Sequence, residues 1–136
     1  MLRVLASTIL AMLPLVASGE EYLCTVDMAS GFKYIDGAWQ SANFRPTGKF
    51  VVRRPTQRDV AGGNWVVNEL GYESALIGCD ADFDADGALQ CHGPEEFRMN
   101  RNSLRFVYVY PYGYWNHGSE NGGDTPYVAI GKCSPM

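Results

Sequence analysis

The chain has 136 residues, enough for one domain, and sets 15 Asp and Glu against 11 Lys and Arg for a formal charge of −4. Nucleic-acid binding draws on clustered positive charge in excess, so this acidic balance excludes it as a leading reading. Two small basic groups, Arg53, Arg54 and Arg58 and then Arg98, Arg101 and Arg105, read instead as solvated strand faces or as partners for the chain's own carboxylates.

The first segment reads as a secretory signal peptide. Arg3 supplies the positive start, residues 4–17 are apolar apart from Ser7 and Thr8, and Ala17-Ser18-Gly19 offers the small residues that a signal peptidase reads. The apolar stretch is about 14 residues where a membrane-spanning helix needs roughly 20, so no membrane span is expected after cleavage. A cut before Glu20 leaves residues 20–136 as a single exported domain, periplasmic or extracellular. Cleavage removes Arg3 and no carboxylate, so the mature domain is one charge more acidic.

From Tyr22 onward, short β-type runs alternate with turn residues. Residues 22–28 stop at Ala29-Ser30-Gly31, and 32–35 run into Asp36-Gly37, a hairpin signal because both turn residues tolerate positive φ. Residues 39–44 stop at Pro46-Thr47-Gly48, and 49–54 stop at Pro55. Runs at 64–70 and 73–79 flank Gly71, and runs at 88–91 and 97–99 follow an acidic turn. The clearest strand is 104–110, with Leu104, Phe106, Tyr108 and Tyr110 on one face and Arg105, Val107 and Val109 on the other. Residues 127–133 close the chain, and no window supports a long amphipathic helix. The pattern predicts an all-β fold, a single antiparallel β-barrel or sandwich of about eight short strands.

All four cysteines survive cleavage, and an even count in an exported small domain reads as two disulfides with three possible connectivities. Cys79–Cys91 is the expected first pair, because it flanks a turn-rich segment and can bridge a hairpin; Cys24–Cys133 then ties the two ends together. No C-x₂-C pair is present, which argues against zinc.

Two segments carry candidate chemistry. Asp82, Asp84, Asp86 and Gly87 match the D-x-D-x-D-G core of a calcium loop, in which alternate carboxylates converge on one hard cation. Gly93 stands where that loop needs its closing glutamate, so an acidic hairpin turn facing water is the competing reading. The second segment, residues 110–124, is long for a loop and rich in Tyr, Trp, Gly, Ser and Asn, the composition of surfaces that recognise partners. Tyr110, Tyr112, Tyr114, Trp115 and His117 are its candidate contacts with a protein, glycan or small ligand. His117 is also the one conceivable acid–base group, since His92 sits beside Cys91 in a turn and no serine-hydrolase, zinc-protease or phosphate-loop motif occurs.

Across the mature chain, Cys24-Thr25-Val26-Asp27, Gly31-Phe32, Tyr34, Phe44-Arg45-Pro46, Gly48-Lys49-Phe50, Phe97-Arg98-Met99-Asn100, Thr125-Pro126-Tyr127 and Gly131-Lys132-Cys133-Ser134-Pro135 resemble small exported bacterial proteins of unassigned function. A looser likeness links the chain to periplasmic C-type lysozyme inhibitors, and it implies a small exported β-barrel with cysteines near both ends, as Cys24 and Cys133 are. Neither resemblance carries over a catalytic residue. The leading expectation is a non-catalytic binding module without a cofactor. The rivals are a small hydrolase-type enzyme built on His117 and a calcium-stabilised envelope protein.

Overall fold

A computed structural model describes residues 20–116 and 124–136; residues 1–19, where the signal peptide is expected, and residue 117 lie outside the described residues. Among the described residues are nine strands: β1 (Tyr22–Ile35), β2 (Ala38–Phe44), β3 (Lys49–Arg53), β4 (Trp65–Glu69), β5 (Ile77–Cys79), β6 (Ala88–His92), β7 (Glu96–Asn100), β8 (Arg105–Tyr110) and β9 (Tyr127–Pro135). None of the described residues forms a helix long and apolar enough to cross a membrane.

Eight strands hydrogen-bond in the order β5-β4-β3-β1-β9-β8-β7-β6, antiparallel throughout, and β2 pairs with β1 off this path. The result is a nearly closed barrel. Its interior takes the inward half of each alternating pattern: Phe50 and Val52, Trp65 and Val67, Leu89 and Cys91, Phe97 and Met99, Phe106 and Tyr108 are all buried. Phe50 packs against Phe97, Phe106 and Tyr108 at centroid distances of 5.8, 5.9 and 4.8 Å, so one ring ties β3 to β7 and β8 across the interior.

Both expected disulfides are present. Cys24 and Cys133 are register partners on β1 and β9, so the first and last strands lie side by side. Cys79–Cys91 does something other than bridge a hairpin. It joins β5 to β6, the two ends of the strand path, with Cα atoms 4.0 Å apart. The bond therefore spans the seam that hydrogen bonds leave open.

Two predicted boundaries are corrected. Residues 22–28 and 32–35 form one 14-residue strand, because Ala29-Ser30-Gly31 continues the pairing instead of turning. A register shift between Val26 and Met28 bends the strand, and Gly31 is needed for close passage: a Cβ there would lie 2.1 Å from the Pro126 carbonyl oxygen. The predicted strand at 73–79 shrinks to Ile77–Cys79, because the chain turns at Gly71 (φ 98°) and only Ile77 and Cys79 of that run reach the core.

The Asp36-Gly37 signal is a hairpin turn, with φ of 52° and 80° and Ile35 opposite Ala38. Beyond Gly31, β1 has no β9 partner, so the tips of β1 and β2 extend past the barrel as an arm.

Candidate functional site

The acidic loop closes one end of the barrel, and the carboxylates of Asp82 and Asp84 are engaged by the protein itself. Asp82 accepts hydrogen bonds from the Trp65 indole Nε1 at 2.7 Å, from the Phe83 amide at 2.8 Å and from Arg54 Nη2 at 3.1 Å. Those three donors, the indole foremost, hold its carboxyl down at about 2. The Arg54 guanidinium lies 4.1 Å over the Trp65 ring, so cation, indole and carboxylate form one closed set. Asp84 Oδ1 accepts from the amides of Asp86 and Ala88, making a local turn, while the Asp86 carbonyl accepts from the side chains of Asn100 and Asn102. The structure does not bring Asp82, Asp84 and Asp86 together. Among the described residues no three acidic, histidine or cysteine side chains form a group that could hold a metal.

The aromatic segment divides into two sets. Tyr110, the last residue of β8, turns inward and stacks on Tyr127 of β9 at 5.4 Å. Tyr112 meets Tyr110 at 5.1 Å and Trp115 at 6.4 Å, extending a ladder of rings from the barrel mouth to solvent. At Gly113, with φ 113°, the chain reverses and sends Tyr114 the other way. There Tyr114 meets Trp39 of the arm edge-on at 5.4 Å, and Trp39 meets its register partner Tyr34 at 5.6 Å. Phe32, Trp39 and Tyr114 line an open hollow of about 360 Å³. His117 lies outside the described residues.

Sequence reasoning missed the arm's share of this hollow. The available signal was the Asp36-Gly37 turn, since a two-residue hairpin sets Tyr34 opposite Trp39.

A second concavity, about 180 Å³, opens at the barrel mouth opposite the acidic loop. Val26, Ala29, Phe44, Phe50 and Tyr127 form its apolar wall, with Arg45 and Glu69 at its polar edge. Phe44 meets Tyr127 at 5.8 Å. Beside it, the Tyr108 hydroxyl donates to Glu95 Oε2 at 2.7 Å, and burial together with that carboxylate pushes the phenol far above its ordinary range. Burial and the hydrogen bond to Asp124 raise Tyr110 to about 12, and burial with the negative charges of Glu69 and Glu95 raises Tyr127. The mouth thus carries three un-ionised phenols beside carboxylates.

No protein-family model, no curated protein and no solved structure matches the chain.

Proposed function

We propose that the protein is an exported, non-catalytic binding module whose contact surface is the aromatic hollow between the arm and residues 112–116. The observation that supports it most is the exposure of rings that have every opportunity to be buried. Phe32 is 55% exposed, Tyr114 66% and Trp115 65%, although each lies beside other aromatic groups. Single exposed apolar residues are ordinary, whereas several rings around one concavity mark an interaction site. Rigid rings also lose little conformational entropy on contact, which suits a surface that must gain affinity from few residues. Both disulfides suit an oxidising compartment, in keeping with export.

The test compares capture from the native envelope by the wild-type domain and by a Trp39→Ala/Tyr114→Ala variant of equal melting temperature. The expected result is a partner, protein or glycan, that the variant no longer retains. If everything held by the wild type is held equally by the variant, the hollow is not the contact surface.

A further inference from the structure

The mouth cavity holds two opposite charges that the fold leaves unmatched. Arg45 follows β2 and Glu69 ends β4, and both line the cavity. Among the described residues neither side chain makes a hydrogen bond or an ion pair, to the other or to any third group. This contrasts with the opposite barrel end, where Arg54 and Asp82 are paired with each other and with Trp65.

The charge pattern selects among ligands. A simple carboxylate would gain Arg45 but face Glu69, and a simple ammonium would gain Glu69 but face Arg45. A molecule carrying both charges satisfies both groups. Volume narrows the choice: the cavity is about 180 Å³, and a closed cavity of about 150 Å³ accepts a molecule the size of benzene. That is room for a ligand of fewer than about ten heavy atoms, with its apolar part against Phe44 and Phe50. Peptides longer than the smallest dipeptides are excluded by the same volume.

We propose that the barrel mouth binds a small zwitterion of the α-amino-acid class, its ammonium toward Glu69 and Tyr127 and its carboxylate toward Arg45. This site is separate from the aromatic hollow and shares none of its lining residues.

Calorimetric and thermal-shift titrations of the purified native protein test it. The probes are L-alanine, L-valine and L-leucine, with isovalerate and isobutylamine as valine analogues lacking one charge. The expected result is saturable binding of at least one amino acid, with each single-charge analogue weaker by ~10- to 100-fold, the usual loss when a charged group is left without its partner. Arg45→Gln is expected to abolish the preference for valine over isobutylamine, and Glu69→Gln its preference for valine over isovalerate. Both side chains are exposed, so neither change should prevent folding, and an unchanged melting temperature of the free protein checks this. The proposal is overturned if no amino acid binds at millimolar concentration, if the analogues match valine on the wild type, or if the two variants keep the wild-type preferences.

Discussion

Arg53 and Asp59 form a two-pronged ion pair, Nη1 to Oδ2 at 2.8 Å and Nη2 to Oδ1 at 2.9 Å, while Arg53 Nε donates to Asn68 Oδ1 at 3.0 Å. The Asp59 carboxylate has no exposed surface and also accepts from the Thr56 amide and hydroxyl. One arginine on β3 thereby fastens the loop after it to β4. Removing the carboxylate strands the Arg53 guanidinium, which is 14% exposed. We expect Asp59→Ala to cost on the order of 3 kcal/mol, measured by denaturant unfolding. Asp59→Asn should cost less, since it retains an acceptor for the Thr56 amide.

Acid should act through the same carboxylate. Hydrogen bonds from Arg53 and Thr56 hold the Asp59 carboxyl below its ordinary 3.8, and those from Trp65, Phe83 and Arg54 hold Asp82 at about 2. A depressed carboxyl contributes stability that is fully present above the unfolded value and lost as pH falls through the folded one. Melting temperature should therefore be flat near neutrality and fall below pH 3.8. The Asp59→Asn/Asp82→Asn variant should show a weaker decline.

Alkaline pH tests the barrel mouth. Tyr110 is raised to about 12, and Tyr108 and Tyr127 are raised as well. Above pH 10 the unfolded chain ionises these phenols while the native one keeps them neutral, so stability should fall from pH 10 upward. Ultraviolet titration of the native protein should show Tyr22, Tyr108, Tyr110 and Tyr127 ionising later than they do in the unfolded chain, and Tyr108→Phe should reduce that late absorbance change by one phenol.

The disulfides should differ in where they act. Cys24–Cys133 closes a separation of 109 residues but joins strands already paired from Tyr22 to Gly31. Cys79–Cys91 closes only 12 residues but holds β5 to β6, which share no ladder. Replacing the first pair with alanine should lower the global unfolding free energy, by up to about 5 kcal/mol on loop entropy. Replacing the second should cost about 3 kcal/mol and also speed amide exchange selectively in β5 and β6.

What was legible in the sequence follows the range of the interactions involved. Alternation placed Phe106 and Tyr108 inside β8 and Arg105 and Val107 outside, and Asp36-Gly37 located its hairpin, because both signals are complete within a few residues. Gly31 looked like a turn because its real constraint, the Pro126 carbonyl, is far away along the chain. The spacing of Asp82, Asp84 and Asp86 suits a cation loop and a tight turn equally. Trp65 and Arg54, which engage Asp82, belong to other elements. Arg45 and Glu69 meet at one cavity only through the β1–β3–β4 pairing, which local pattern does not encode. Leu104, with φ 55°, adopts a left-handed turn conformation before β8 that nothing about leucine announces.

The arm offers the cleanest separation of binding from folding. Trp39 packs on Tyr34 and Tyr114, both outside the barrel interior, and the adjacent stretch of β1 has no β9 partner to destabilise. Trp39→Ala should therefore cost less than about 1 kcal/mol of stability. The same change removes one of the three rings that line the hollow, so retention of a captured partner should be lost. Trp65→Ala makes the opposite case: its ring is fully buried and its indole holds Asp82, so about 3–5 kcal/mol should go with it. Equilibrium unfolding of the two variants beside their capture assays checks both halves. A hollow that merely plugged the barrel would show the Trp39 and Trp65 variants losing stability alike.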